Sequence, residues 1–289
     1  VAQEAPWGRD LPGLLAYARA QSPEIRAMRE EAEAAAHRVG PAGALPDPVL
    51  RVEFMNINNY GNDASPSLLP WKVGETKYTL MQALPLWGKR ELKRDAAAAD
   101  VRQAEARASA TWAELAARIK AAYAEYYRAA GNERLTKEVL GLMTRLEQVA
   151  QARYAGGLAA QADAIRAQLE QTAMRSELIM IDSEKRQIRA RLNALLARES
   201  GAPLADPLEL RAVPTLNTAN ASSLAERARS GNPQIQAELA RVALAQKSRD
   251  LTQRNRYPDL TVGVSPSQMG SRITTWGVML EMNIALQQE

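Results

Sequence analysis

The chain has no cysteine and a single histidine, His37. Disulfides, thiolate metal sites, cysteine nucleophiles and cysteine-linked lipids are thereby excluded, and so are multi-histidine metal centres and most catalytic triads. No run approaches the ~20 apolar residues that a membrane-spanning helix needs. A β-barrel stays open, because its strands are short and only alternately apolar. Aromatic residues are scarce at 5%, with Phe54 the only phenylalanine. Alanine dominates the small residues, which favours helices packed closely on helices over a core of large side chains. Charge of one sign is lacking too: 37 basic and 33 acidic residues give a net +4, interspersed along the chain. That is no nucleic-acid footprint, and no nucleic-acid partner is expected. There is no phosphate-cradling glycine loop, no metal-spaced cluster and no nucleophile with a base beside it. Neither a cofactor nor an enzymatic activity is expected.

What is present is periodicity of two kinds. From Leu11 to about Arg38, Leu14, Leu15, Ala18, Ile25 and Met28 recur at helical spacing, and Gly40-Pro41 is expected to stop the helix. Leu50, Val52 and Phe54 then alternate with Arg51, Glu53 and Met55. After a polar stretch from Asn56 to Glu75, a second alternating run sets Tyr78, Leu80, Leu84 and Leu86 against Lys77, Thr79, Met81 and Ala83. Each run is about the ~9–11 residues of a tilted transmembrane strand.

Between Gly88 and about Arg153 there is no proline, and a continuous helix of that length would reach roughly 100 Å. Leu115, Ile119, Ala122 and Tyr126 keep coiled-coil spacing, as do Leu135, Val139, Leu142, Leu146 and Val149. The two registers do not join, which predicts a stutter near Gly131. Arg153-Tyr154-Ala155-Gly156-Gly157 breaks the helix, and a second one is expected from about Ala160 to Arg198, with Lys185 inside its Leu/Ile seam. Lys185 reads either as a register device or as a snorkelling surface residue. The expected unit is an antiparallel helical hairpin with a Gly-Gly tip.

The opening then repeats. Leu224, Ala228, Arg229, Asn232-Pro233, Ile235 and Ala237 match Leu14, Ala18, Arg19, Ser22-Pro23, Ile25 and Ala27 at one constant offset. Pro258-Asp259 answers Pro46-Asp47, and two further alternating runs follow, Leu260, Val262, Val264 and then Trp276, Val278, Leu280, Met282, Ile284. The segments are an N-terminal helix (1–46), a first strand pair (47–87), the helical hairpin (88–200), a linker (201–221), a second-repeat helix (222–257) and a second strand pair (258–289). The fold class is mainly α with a small β part.

With these features in view, the sequence resembles the TolC-type outer-membrane efflux proteins. The resemblance is carried by the duplication, by the Leu84-Pro85-Leu86-Trp87-Gly88-Lys89-Arg90 junction, and by Arg153-Tyr154-Ala155-Gly156-Gly157 followed by Asp163-Ala164-Ile165-Arg166-Ala167-Gln168. It covers essentially the whole chain. It implies a homotrimer whose protomers each give four strands to one β-barrel, with the hairpin as an element of a periplasmic α-barrel. It further implies an outer-membrane location, contact with outer-membrane lipid, a periplasmic adaptor (membrane fusion) protein and an inner-membrane pump as partners, and a passive exit role in a tripartite efflux pump. The Gly88-Lys89-Arg90 junction leans toward the heavy-metal (Czc/Cus-like) branch; a duct for drugs or for protein secretion is the alternative cargo. A periplasmic coiled-coil adaptor or scaffold is the rival class. The family's second helical hairpin would follow Glu289, so the sequence is expected to be a fragment carrying half of the tunnel wall.

The resemblance also gives candidate site residues. Asp163 matches a carboxylate that helps hold the periplasmic entrance closed, the plainer reading being a helix-start acid favoured by the macrodipole. Arg153 and Tyr154 shape the tip or meet the adaptor, and Gly156 and Gly157 are conformational. If the apolar strand faces meet lipid, Arg51, Glu53, Lys77 and Glu281 face the lumen, with Met55, Met81 and Met279 filling space there in preference to binding a soft metal. His37 reads as a solvated helix residue. Trp71, Tyr78, Trp87 and Trp276 are candidates for aromatic belts, with core packing as the alternative.

Overall fold

A computed structural model describes residues 7–57, 68–207 and 221–284. Ten elements follow in order: α1 (Leu11–Gln21), α2 (Pro23–Gly43), β1 (Val49–Met55), β2 (Glu75–Leu84), α3 (Lys89–Ala155), α4 (Gln161–Leu195), α5 (Ala221–Gly231), α6 (Pro233–Arg254), β3 (Leu260–Met269) and β4 (Arg272–Met282). The chain divides into two compact units, Val1–Arg29 with Arg107–Pro233, and Glu30–Ala106 with Gln234–Glu289.

Two sequence expectations need correction at the start. The helix expected from Leu11 to Arg38 is broken at Ser22, because a following proline disfavours helical backbone at the residue before it. Ser22 is extended (φ −64°, ψ 121°), yet its N–H still reaches Ala18 O at 2.9 Å. Nor does Pro41 stop α2, which runs to Gly43. So near the end, the missing N–H removes one hydrogen bond and little else. The second repeat, expected as one helix, breaks in the same way at Asn232, whose N–H bonds to Ala228 O at 3.0 Å before Pro233 opens α6. The duplication is thus visible as a repeated break.

In the first unit, α3 and α4 run antiparallel. Glu125 pairs with Arg191, Arg128 with Glu184 and Glu133 with Lys185, and Gln171 Nε2 donates to Thr144 Oγ1 at 3.0 Å. α3 is one unbroken helix of 67 residues. Its core stripe is the first register read from the sequence: Leu115, Ile119, Ala122 and Tyr126 are buried, with Ala129 continuing it, against Ile188, Leu192 and Leu14. The expected stutter is absent. α3 stays regular across Gly131, and the same stripe continues through Glu133, buried Thr136 and half-buried Leu140 to Thr144. Leu135, Leu142, Leu146 and Val149 form a separate stripe, 54–60% exposed. Two faces of one helix, one of them polar beyond Ala129, imitate a shift of register.

In the second unit the four strands form one antiparallel sheet in the order β1-β2-β3-β4. The pairing of β2 with β3 joins the two halves of the duplication. Alternation along each strand gives the sheet two chemically distinct faces. The parts of the polar stretch, the linker and the second strand pair that fall on 58–67, 208–220 and 285–289 lie outside the described residues.

Candidate functional site

The register aligns the apolar positions into rows. Leu50 lies opposite Leu80, Leu80 opposite Val264 and Val264 opposite Val278; in the next row Val262 lies opposite Leu280, with Gln82 as its polar member. In the first row these side chains are exposed at 63%, 54%, 46% and 87%. A face so apolar and so bare has water as a poor solvent, and a patch of this kind marks a membrane or protein partner.

The other face is polar and small. Arg51, Glu53, Lys77 and Glu281 all lie on it, with Glu53 directly opposite Lys77 and Arg51 opposite Thr79. Ser265, Ser267 and Gly263 complete it on β3 and are buried by their neighbours. Met81 and Met279 flank Gly263, where even a methyl group would meet their side chains at 3.2–3.3 Å, while Met55 is paired with Glu75 elsewhere on the sheet. The two methionines therefore fill the space above a glycine. The serine and glycine positions were not singled out from the sequence, although their alternation with Leu260, Val262 and Val264 was the available signal.

The strand–helix junction is locked. Lys89 is 3% exposed, its Nζ lying 2.8 Å from Asp259 Oδ1 and donating to Tyr257 O at 2.6 Å. Trp87 Nε1 donates to Pro258 O at 2.9 Å, and the Trp87 and Tyr257 rings lie 5.5 Å apart. Trp87 and Gly88 both take positive φ to make the turn (61° and 72°). The junction motif and Pro258-Asp259, read separately in the sequence, are two halves of one clamp. Of the other belt candidates, Trp71 and Trp276 are exposed, and the Tyr78 hydroxyl donates to Gln268 at 3.3 Å.

At the hairpin tip, Leu158 N–H bonds to Arg153 O at 2.8 Å and Gly157 N–H to Tyr154 O at 2.9 Å. This paired ending places Gly157 in the left-handed region, φ +69°, which only glycine enters without strain. Asp163 occupies the first turn of α4, and its N–H bonds to Ala160 O at 3.1 Å. Asp163, Arg153, Arg166 and Glu170 line one groove of about 370 Å³ with Leu146 and Val149 of the exposed stripe. Tyr154 is 45% exposed at the same end. The structure thus brings Asp163 and Arg153 together beside apolar surface and leaves Asp163 exposed to solvent.

Lys185 is neither a snorkelling residue nor an isolated register device. Its Nζ lies 2.5 Å from Glu133 and 2.7 Å from Asp206, and the Tyr126 hydroxyl donates to Asp206 at 2.8 Å. Burial alone would depress the lysine and raise Asp206, but their mutual contacts win. Lys185 is held above its ordinary value and Asp206 below, while bonds from Lys137 and Lys185 hold Glu133 low. His37 is exposed, 3.8 Å from Glu33 on the same helix.

One chain thus joins a four-stranded antiparallel sheet with a bare apolar face to a helix of 67 residues. A sequence profile of the outer membrane efflux protein family matches residues 14–198, and the chain belongs to that family. No curated protein matches the sequence. Among solved structures it is similar to the outer-membrane channel OprN (17% identity, TM-score 0.70, 95% of this chain and 64% of that one). It is also similar to the outer membrane protein VceC of Vibrio cholerae (19%, 0.69, 96% and 69%) and to CusC (16%, 0.73, 96% and 66%), whose structures bear on transmembrane channel formation. At these identities the likeness speaks to the fold, and the chain spans about two thirds of the length of these structures. The family places the protein in the outer membrane.

Proposed function

We propose that the chain is the outer-membrane component of a tripartite efflux pump, a passive exit duct across periplasm and outer membrane that works as a homotrimer. The observation that carries this reading is the open sheet. Among the described residues, β1 and β4 each have one unpaired edge, and in lipid such edges leave backbone groups unsatisfied. Four strands do not close a barrel around a channel; three copies supply twelve. The exposed Leu135, Leu142, Leu146 and Val149 stripe then meets a neighbouring helix of the wall. A periplasmic adaptor and an inner-membrane pump are the partners, with the adaptor at the tip around Arg153 and Tyr154. A pure coiled-coil scaffold would have no use for the bare apolar sheet face. The test is assembly: the full-length protein should run as a trimer in detergent and conduct in planar bilayers, and a monomer without conductance would refute the reading.

By resemblance we assign heavy-metal cations as the cargo. A deletion strain should lose resistance to salts of such metals; sensitivity to drugs alone would replace that assignment with the multidrug one. Asp163 we assign to the gate. On a three-fold axis its three carboxylates repel one another and favour cations, so closure needs cationic partners. Asp163→Ala should raise single-channel conductance in the full-length trimer and reduce its cation selectivity, most clearly at low salt where screening is weakest. Unchanged conductance and selectivity would leave Asp163 as a helix-start acid.

A further inference from the structure

Beside the Lys89 clamp lies a cavity of about 960 Å³, bounded by the first turns of α3 and the last turns of α6. Trp87 and Tyr257 form part of its wall, exposed at 54% and 44%. They stand three residues from Leu84 and Leu260, the paired ends of β2 and β3, so the cavity begins where the apolar face stops. Tryptophan and tyrosine at such a border sit at the level of lipid headgroups, apolar ring inward and polar tip outward.

The charges in the cavity are of both signs and are unequally satisfied. Asp95 is paired with Lys247 at 3.0 Å, and Asp250 with Arg249 at 2.7 Å. Among the described residues, Glu91, Arg254 and Arg256 have no ionic partner, and the Arg254 guanidinium rests over the Tyr257 ring at 5.6 Å. Two unpaired guanidiniums suit a phosphate, and a guanidinium fork takes phosphate oxygens in pairs. An unpaired carboxylate lining the same cavity as a half-exposed indole suits an ammonium.

We infer that this cavity holds the headgroup of an ethanolamine phospholipid, its phosphate between Arg254 and Arg256 and its ammonium between Glu91 and the Trp87 ring. A purely anionic lipid would satisfy the arginines and leave Glu91 beside added negative charge. A choline lipid would bring an ammonium that cannot donate a hydrogen bond to Glu91. The inference rests on the sheet lying in the membrane, and it adds a lipid specificity that the channel reading does not require. Such a headgroup would pin the strand–helix junction to the periplasmic leaflet and fix the depth of the barrel.

Native mass spectrometry of the full-length trimer in detergent tests this, with phosphatidylethanolamine, phosphatidylglycerol and phosphatidylcholine of identical acyl chains as probes. Phosphatidylethanolamine should be retained about tenfold more strongly than either of the others, about one decade in Kd. Glu91→Gln should abolish that preference, weakening phosphatidylethanolamine and strengthening phosphatidylglycerol. Arg254→Gln with Arg256→Gln should weaken all three lipids. Trimer mass and bilayer conductance of each variant confirm that it is assembled, so failure of the channel reading is distinguishable from failure of this one. Equal retention of the three lipids by wild type, or a preference that survives Glu91→Gln, would overturn the proposal. Displacement by free phosphoethanolamine at lipid-like concentration would also overturn it, by making the ligand a soluble phosphate ester.

Discussion

Val278→Arg should strongly impair membrane insertion of the full-length protein, whereas Met279→Arg, one residue along the same strand, should be tolerated. Val278 is the most exposed large apolar residue in the sheet at 87%, lies near the middle of β4 and closes the row that begins at Leu50. Arginine on the lipid face at mid-bilayer costs ~2–4 kcal/mol. That is a factor of roughly 30 to 700 in the inserted population. Met279 points to the opposite face, over Gly263, where an arginine side chain can extend toward the row that holds Glu281. The measurement is the protease-protected, heat-modifiable fraction in isolated outer membranes. Equal insertion of the two variants would mean that this face does not meet lipid.

The alternating faces were legible in the sequence because strand periodicity assigns every side chain to one side without reference to any partner. Arg51, Glu53, Lys77 and Glu281 accordingly share a face in the structure. Which residues of α3 face α4 was only half legible. Its inward stripe carries Glu133, Thr136 and Thr144 beyond Ala129, and polar residues at seam positions do not register as a seam. The outward stripe carries leucines and imitates one. What licenses those polar positions is a set of partners on other elements: Lys185 and Asp206 around Glu133, Gln171 at Thr144. The Lys89 clamp was illegible for the same reason, since Lys89 and the carbonyl it grips, Tyr257 O, stand 168 residues apart. Both breaks before proline were readable in principle, because the restriction on Ser22 and Asn232 is local. Helical spacing that resumed on both sides concealed them.

Tyr126 joins the two kinds of interaction in the first unit, and its substitutions separate them. The ring is 1% exposed within the core of Leu14, Ile119 and Leu192, and the hydroxyl donates to Asp206. Tyr126→Ala should destabilise the unit by ~3–5 kcal/mol, the cost of emptying a large core site. Tyr126→Phe keeps the packing and removes the hydroxyl's bond to a charged group, worth ~1.5–3 kcal/mol, with its longer contact to Leu204 O at 3.3 Å. The lower end applies, because Asp206 is 54% exposed and water replaces much of what it loses. Lys185→Ala should fall between them: it strips Asp206 and Glu133 of a shared partner, although Glu133 keeps Lys137. The pH dependence follows from the signs. Asp206 and Glu133 titrate lower in the folded chain than unfolded, so their contribution is present above the ordinary carboxylate range and is lost as pH falls through their folded values. Lys185 titrates higher when folded, and burial followed by the Asp206 contact raises Tyr126 as well. Their contribution is therefore present below about pH 10 and is lost as pH rises further. Denaturant midpoints of the full-length protein should accordingly be flat near neutrality and fall at both extremes, with a shallower fall in Lys185→Ala at each end. A Tyr126→Phe variant as unstable as Tyr126→Ala would shift the weight from packing to the polar network. A Lys185→Ala variant with the wild-type pH profile would show that the network contributes nothing to holding the 201–207 segment on the hairpin.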